Sequence, residues 1–172
     1  CSNWALPRIK EAQAYCEAHG LQGFSCNQLM WSLADVNFYN LADKTFILMD
    51  EDTRAYHAET GMNVMAYMSI AKGYFARRAA GESLPAGVAD VYGSPSNDAI
   101  YELCRQVVDE GEYTYMDLAY MYIMAEKLFP SVPIASFDNM DHLNACVASM
   151  EKSIPGDIIA KLAGLKKYVY WK

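Results

Sequence analysis

Short apolar segments alternate with helical patterns along this chain, and this alternation limits its fold more than any other feature. The segments typical of strands are GFSCNQ (23–28), NVMAYM (63–68) and SVPIA (131–135), with a stub at Ser2–Trp4. Each is too short and apolar to leave one face in water, so we expect parallel strands that are buried on both faces. The alternation of strand and helix predicts an α/β fold.

Apolar residues at helical spacing predict six helices. They cover about 7–19, 49–60, 97–110, 115–128, 139–152 and 158–165. The Gly-, Pro- and Ser-rich stretch at about 76–96 predicts a long loop or insertion, and 29–40 a polar and aromatic loop. Three strands and a stub make about half of a (β/α)8 TIM barrel, which typically needs about 250 residues, whereas this chain has 172. We therefore interpret residues 1–172 as a single half-barrel unit.

Charge and hydropathy restrict the partners. The net charge is −7 and the basic residues are scattered, which argues against nucleic acid because phosphate binding needs a concentrated positive patch. Every apolar run is shorter than the roughly 18 residues of a membrane span, so we expect no membrane partner. We interpret the basic pairs Arg77–Arg78 and Lys166–Lys167 as solvated surface, and place His57 at the surface as well.

Cysteine and histidine spacing favours a reducing compartment and no metal. The cysteines are Cys1, Cys16, Cys26, Cys104 and Cys146, without any CxxC spacing, which indicates neither a disulfide framework nor a zinc site. The three histidines are far apart and lack ligand spacing. We therefore expect a cytoplasmic protein. The first residues lack a signal-peptide pattern and look like the interior of a longer fold.

The stretch NVMAYMSIAKGYF (63–75) suggests where a binding site would form. Its apolar first part ends in a small polar loop that offers the Tyr67 ring, the Ser69 hydroxyl, Lys72 and Gly73. A segment of this kind is typical of a barrel strand that delivers its carboxyl end to a site.

Four motifs in register carry a resemblance to a known family. They are CSNW (1–4), NQLMWSLAD (27–35), TGMNVMAYMSIAKGYF (60–75) and VPIASFDNMDHL (132–143). They resemble the C-terminal half of an aldo/keto reductase, whose fifth to eighth strands carry G-x-S-N-[FW], Q-x-x-[YW]-S, A-Y-[ST]-x-x-x-x-G and a loop that ends in Q-L-x-E-N. The resemblance extends to about residue 147. It implies the second half of a TIM barrel and an NAD(P)H-dependent oxidoreductase that reduces a small aldehyde or ketone.

The resemblance also implies a dinucleotide site at the strand ends. Ser2, Asn3 and Gln28 would hydrogen-bond the nicotinamide carboxamide, and Tyr67 would lie against the nicotinamide ring; amide and aromatic side chains suit these roles. The other implied cofactor residues are Met68, Ser69, Ile70, Ala71, Lys72, Gly73, Ser136, Asp138, Asn139 and His142. Trp4 and Trp31 would border the substrate pocket.

A plainer structural interpretation remains open for several of these residues. Tyr67 could pack at a barrel rim, Gln28 could satisfy loop backbone, and Lys72 could be a solvated side chain. Trp4 and Trp31 could be ordinary core residues. A generic α/β domain with chance motifs is the corresponding alternative for the whole chain.

The adenosine end departs from the family pattern. With Leu143 aligned, the Glu and Asn that usually hold the adenine correspond to Ala145 and Cys146. Asp138 stands where many members place Arg, Lys or Ser for the 2′-phosphate of NADP. A carboxylate repels a phosphate and can accept a hydrogen bond from a free ribose 2′-hydroxyl. Between NADP and NAD, we therefore expect poor binding of NADPH and better binding of NADH.

The family's catalytic tetrad falls outside this chain. Its Asp, Tyr, Lys and His come from strands two to four, whereas residue 1 corresponds to the end of strand five. One hypothesis is the cofactor-binding half of a reductase, inactive alone because no general acid is present. The alternative is a non-catalytic half-barrel interaction module, a use with precedent in the potassium-channel beta subunits of the family. Either one needs a missing N-terminal half or self-association to cover its open edges.

Overall fold

The computed structural model describes the backbone of residues 1–170 and the side chains of residues 1–168. The strands are β1 (Cys26–Met30), β2 (Val36–Asn37), β3 (Asn63–Tyr67), β4 (Ser131–Pro133) and β5 (Val169–Tyr170). The helices are α1 (Leu6–Ala18), α2 (Glu51–Thr60), α3 (Tyr74–Ala79), α4 (Val88–Tyr92), α5 (Pro95–Asp109), α6 (Tyr115–Met124), α7 (Met140–Met150) and α8 (Gly156–Leu165). Short 3-10 turns lie at Phe38–Asn40 and Ala71–Gly73.

A parallel sheet with the order β1-β3-β4 forms the centre of the fold. Gln28 pairs with Met65, and Met65 pairs with Val132 on the next strand. Ser2 adds an isolated parallel bridge to Gln28, beside β1. The predicted α/β fold with parallel strands is therefore confirmed. Because all of these segments run in one direction, their carboxyl ends meet at one edge of the sheet.

The two faces of this sheet are covered differently. Leu29, Val64 and Ala66 are buried in the core that the helices form against one face. Met65 and Val132 belong to the other face and keep 37% and 52% of their surface exposed. The expectation that the strands are buried on both faces is therefore wrong for the described chain. Successive side chains of a strand point to opposite faces, and the described helices cover only one of them.

Local signals set the ends of several helices. The Asp50 side chain accepts a hydrogen bond from Thr53 N (2.8 Å) at the start of α2. At the start of α6, Thr114 and Asp117 form a reciprocal capping box. Such caps satisfy amide groups that have no partner within the helix. The six predicted helices correspond to α1, α2 and α5 to α8, although α6 ends several residues before 128.

Two segments predicted as loops are more ordered than expected. The stretch 76–96 contains the end of α3, the whole of α4 and the start of α5. Gly87 adopts a left-handed conformation (φ 76°) at the start of α4, whose Val88 and Tyr92 are buried. The glycine and small residues of the stretch 76–96 therefore lie at the ends of short helices and do not form one long loop. In the stretch 29–40, the first two residues complete β1, and most of the following ones are buried.

His57 lies in the interior, so its predicted surface position is wrong. The side chain is 0% exposed. Its Nδ1 donates to the carbonyl oxygen of Met62 (2.9 Å), and its Nε2 accepts from Nδ2 of Asn27 (3.1 Å). Burial lowers the pKa of His57, which keeps the imidazole neutral in this arrangement. One hydrogen bond thus joins α2 to β1, and the other joins α2 to the residue just before β3.

Lys166 is also buried, which contradicts its interpretation as solvated surface. Its Nζ lies 3.0 Å from Oδ1 of Asp35, and both side chains are almost fully buried. The same ammonium group donates to the carbonyl oxygen of Ser32 (3.1 Å). The Asp35 carboxylate accepts from Lys167 N, and Val36 N donates to Tyr168 O (3.2 Å). The segment after α8 is thereby attached to the segment after β1.

Candidate functional site

A cleft of about 320 Å³ lies at the carboxyl ends of β3 and β4. The residues that line it are Tyr67, Met68, Ser69, Ile70, Lys72, Tyr120, Ile134, Ala135 and Ser136. Six of these lining residues are among the cofactor residues that the resemblance implied: Tyr67, Met68, Ser69, Ile70, Lys72 and Ser136. The structure therefore brings these predicted residues together at one edge of the sheet.

The loop 68–73 follows an unusual backbone path. Met68, Ala71 and Lys72 have φ angles of 54°, 50° and 55°, and Gly73 has 75°. For a residue other than glycine, this left-handed region costs about 1–2 kcal/mol. Backbone strain of this kind persists where surrounding bonds determine it, and it is often found at ligand sites.

Hydrogen bonds within the chain hold this loop in place. Ala71 N donates to Met68 O and Gly73 N donates to Ile70 O, both at 2.8 Å. The Ser69 hydroxyl donates to the carbonyl oxygen of Ile134 at 2.7 Å, just after β4. The loop is thus bonded to itself and to the neighbouring strand end.

Tyr67 is fixed through its hydroxyl group. That group donates to Oδ1 of Asn3 at 2.7 Å, and the same oxygen accepts from Ile47 N at 3.1 Å. Burial raises the pKa of Tyr67 to about 12, so the hydroxyl remains a donor at neutral pH. The Phe46 ring packs against the Tyr67 ring edge to face, with centroids 5.6 Å apart.

Ser2 and Gln28 form a second polar pair, two residues before the carboxyl end of β1. The Ser2 hydroxyl donates to Oε1 of Gln28 at 3.0 Å. In both Asn3 and Gln28, the amide oxygen is therefore engaged within the protein. Each amide then presents its NH₂ group as the part suited to donate to a ligand.

The predicted residues after Ser136 lie apart from this cleft. Asp138, Asn139 and His142 are exposed at the start of α7. The Asn139 side chain caps this helix by accepting a hydrogen bond from His142 N (2.9 Å). Cys146, which aligns with an adenine-binding position of the family, is buried.

Tyr120 is a cleft residue that sequence reasoning missed. It lies on α6, is 2% exposed and packs in a small cluster with Met121 and Cys146. Burial, followed by its hydrogen bond with Cys146, raises the pKa of Tyr120. The helix reads YMDLAYMYIM and is apolar on nearly every face, so its sequence pattern gave no signal of which side meets the cleft.

A second cavity of about 240 Å³ lies beside the first. Most of its lining is apolar and includes Leu41, Phe46, Val88 and Tyr92, with Asp43 among the polar members. Met68 and Lys72 line both cavities. The loop 68–73 therefore forms a wall between them, and Lys72 is exposed on that wall.

The two predicted substrate-pocket tryptophans line neither of these cavities. Trp31 is 3% exposed and packs against Tyr122 and Phe129 in the core. Trp4 packs edge to face with Phe24 (5.1 Å), and the Arg8 guanidinium lies 4.4 Å from its ring. Trp31 thus lies in the core and Trp4 is half-buried, while the substrate-pocket role of both residues stays a prediction.

Comparison with known proteins identifies the family. The model of the aldo/keto reductase family matches residues 1–167. This chain is an aldo/keto reductase family member. The family assignment made from the four motifs is thereby confirmed.

Solved aldo/keto reductases share the fold. The thermostable enzyme Tm1743, determined with the inhibitor epalrestat, is 14% identical with a TM-score of 0.58 over 96% of this chain. AKR11C1 from Bacillus halodurans, in its holo form, is 18% identical with a TM-score of 0.57 over 92% of this chain. The match covers 47% and 49% of those two chains, so this chain spans about half their length. A search of curated proteins found no significant match.

Two further observations describe this family member. Across residues 1–170, no helix combines the length and apolar character needed to cross a bilayer. In the same range, no three His, Cys, Asp or Glu side chains are grouped in a way that could hold a metal ion.

Proposed function

We propose that residues 1–172 form the C-terminal half of an aldo/keto reductase barrel and supply most of its cofactor site. The complete protein would be an NAD(P)H-dependent oxidoreductase that reduces an aldehyde or ketone. The observation that carries the proposal is that Tyr67 and the 68–72 loop line one cleft at the end of β3, with the Tyr67 hydroxyl held by Asn3. The Ser2–Gln28 pair lies next to Asn3 on the neighbouring strand. Family membership over residues 1–167 supports the same conclusion.

The geometry fits the nicotinamide end of the cofactor. A carboxamide offers one acceptor and two donors, and the NH₂ groups of Asn3 and Gln28 can meet its oxygen. The Tyr67 ring lines the cleft and has its hydroxyl held by Asn3, so one aromatic face can lie against the nicotinamide. Bound there, a reduced nicotinamide supplies hydride to a carbonyl carbon.

The loop 68–73 suits the pyrophosphate. Ala71 N and Gly73 N donate within the loop, so an anion would be met by its other backbone N–H groups, since turns with left-handed residues can form concave anion sites. Lys72 adds a positive charge next to them. Lys72 is exposed, so its contribution is steering and weak pairing with phosphate. Ser136 extends the same wall from the β4 side.

The adenosine end favours NADH over NADPH. Asp138 is exposed at the start of α7 and would face the 2′-phosphate of NADPH, where its charge is unfavourable. Ala145 and Cys146 offer no amide or carboxylate to the adenine, and Cys146 is buried. We therefore assign the selectivity of this site to Asp138.

The open face of the sheet implies a covering partner. Met65 and Val132 expose apolar surface next to the proposed cofactor site, and apolar patches of this kind mark interaction surfaces. In the complete protein, the preceding half of the barrel would cover this face and bring the acid–base residues of the family to the carbonyl substrate.

Free thiols at all five cysteines support a place in the reducing cytoplasm.

The alternative function is a non-catalytic half barrel that pairs with another chain through the same open face. The decisive experiment measures binding of NADH and NADPH, by titration of nucleotide fluorescence, to the complete protein and to residues 1–172 alone. It also measures nicotinamide-dependent reduction of a panel of aldehydes and ketones. We expect cofactor binding and turnover by the complete protein, and no turnover by residues 1–172 alone. A complete protein that binds neither nucleotide would overturn the reductase assignment and favour the interaction module.

A further inference from the structure

Phe46 contacts the proposed nicotinamide-stacking residue from the side away from the cofactor cleft. Tyr67 lines the first cavity and not the second, whereas Phe46 lines the second and not the first. The two rings pack edge to face, with centroids 5.6 Å apart and an interplanar angle of 67°. Phe46 is therefore a backing ring for Tyr67.

The backbone next to Phe46 is held through both the N–H and the carbonyl group of Ile47. Ile47 N donates to Oδ1 of Asn3 (3.1 Å), the same oxygen that accepts the Tyr67 hydroxyl. Ile47 O accepts from Met30 N (2.9 Å), and Met49 N donates to Met30 O (3.0 Å). The segment that carries Phe46 is thus attached both to the end of β1 and to the atom that orients Tyr67.

The preceding turn adds a third attachment. Lys44 Nζ donates to the carbonyl oxygens of Tyr39 and Leu41 at 2.7 and 2.6 Å, which closes the 3-10 turn at 38–40. Asn40 Nδ2 donates to Asp90 O on α4 at 2.7 Å. Hydrogen bonds therefore hold the segment 38–49 in place, and its Phe46 ring contacts the Tyr67 ring.

We propose that Phe46 is a positioning residue that fixes the Tyr67 ring against the nicotinamide. The proposal rests on the cofactor site described under Proposed function. A ring held only at its hydroxyl can still swing about its side-chain bonds, and an edge-to-face aromatic contact limits that freedom. Phe46 does not line the cleft, so its effect on a bound nicotinamide would pass through Tyr67.

The test compares a whole cofactor with a fragment that lacks nicotinamide. In the complete protein, Phe46→Leu and Phe46→Ala are titrated with NADH and with ADP-ribose. An edge-to-face aromatic pair contributes enough to weaken NADH binding about two- to tenfold when it is lost. Binding of ADP-ribose should not change, because the fragment does not reach Tyr67. Phe46→Tyr keeps the ring and should bind NADH as the unmodified protein does.

A matched control removes the same kind of ring pair elsewhere. Phe24→Leu breaks the edge-to-face contact with Trp4 just before the amino end of β1, at the opposite end of that strand, and should leave both dissociation constants unchanged. Equal losses for NADH and ADP-ribose in the Phe46 variants, or no loss at all, would overturn the positioning role. If the unmodified protein binds neither NADH nor ADP-ribose, the proposed function fails and this inference fails with it.

Discussion

The nicotinamide end and the adenosine end of the proposed cofactor site are built very differently. At the first, one oxygen of Asn3 joins Tyr67 to Ile47, and a strained loop is bonded across to β4. At the second, Asp138, Asn139 and His142 are exposed at and just before the start of α7. In the proposed site, hydrogen bonds therefore hold the side chains of the nicotinamide end, whereas the adenosine end offers exposed side chains.

The largest expected effect concerns the buried pair Asp35–Lys166, outside the proposed cofactor site. Lys166→Met leaves the Asp35 carboxylate buried without its partner, which typically destabilises a fold by about 3–5 kcal/mol. Urea unfolding of the complete protein measures this loss. The control is Lys161→Met, which breaks an exposed pair with Asp157 and should cost well under 1 kcal/mol. Similar losses for both variants would contradict the structural role of the buried pair.

The double variant Asp35→Asn with Lys166→Met sharpens the same test. Burial is the largest influence on Lys166 and lowers its pKa, while the nearby Asp35 carboxylate acts in the opposite direction. Removing both charges together also removes their desolvation cost, so the double variant should recover part of the stability that Lys166→Met loses. A double variant less stable than Lys166→Met would show that the Asp35 carboxylate stabilises the fold through its other bonds, such as those from Lys167 N.

The next largest effect is on NADH affinity through Tyr67, at the nicotinamide end of the proposed site. Tyr67→Ala removes the aromatic wall and should weaken NADH binding about tenfold to hundredfold, as the loss of a buried aromatic contact does. Tyr67→Phe keeps the ring and loses only the hydrogen bond to Asn3, so its loss should be several times smaller. Fluorescence titration of the complete protein measures both. Equal affinity in the Ala variant would show that Tyr67 only packs at the rim.

A smaller effect is expected at the exposed end. Asp138→Ser should improve NADPH binding relative to NADH by about two- to fivefold, because exposed charge interactions are weak and screened. The nearby Asp141→Ser serves as the control, since it makes the same change in net charge in the first turn of α7, three residues further along. An equal shift in both variants would indicate a general charge effect and not recognition by Asp138.

The smallest effect is a dependence of stability on pH through His57. Its pKa is lowered in the folded state by burial, so the unfolded chain takes up this proton first as the pH falls. The contribution of a neutral His57 is complete above the ordinary histidine pKa near 6.5 and is lost as the pH falls below it. His57→Gln should flatten the fall in unfolding free energy between pH 7 and 5. Urea unfolding at a series of pH values measures this slope, and an unchanged slope in His57→Gln would contradict the prediction.

Local motifs in a fixed order were enough to predict the family, the parallel strands and the residues that meet at the strand ends. The burial of His57 and Lys166 could not be predicted in this way, since each depends on a partner far along the chain, Asn27 and Asp35 respectively. The open sheet face was missed for a related reason. Met65 and Val132 are apolar like buried residues, and only the placement of the helices shows that nothing described here covers them.

The backbone of residues 68–73 has a kinetic consequence. Its shape is set by bonds from Ser69 to Ile134 and within the loop, so it does not depend on contacts that a nucleotide would bring. The loss of conformational entropy that ordering this segment requires therefore occurs when the chain folds and not when a nucleotide binds. The rate of cofactor exchange would then be set by nucleotide association and dissociation, without a slow closure of this loop.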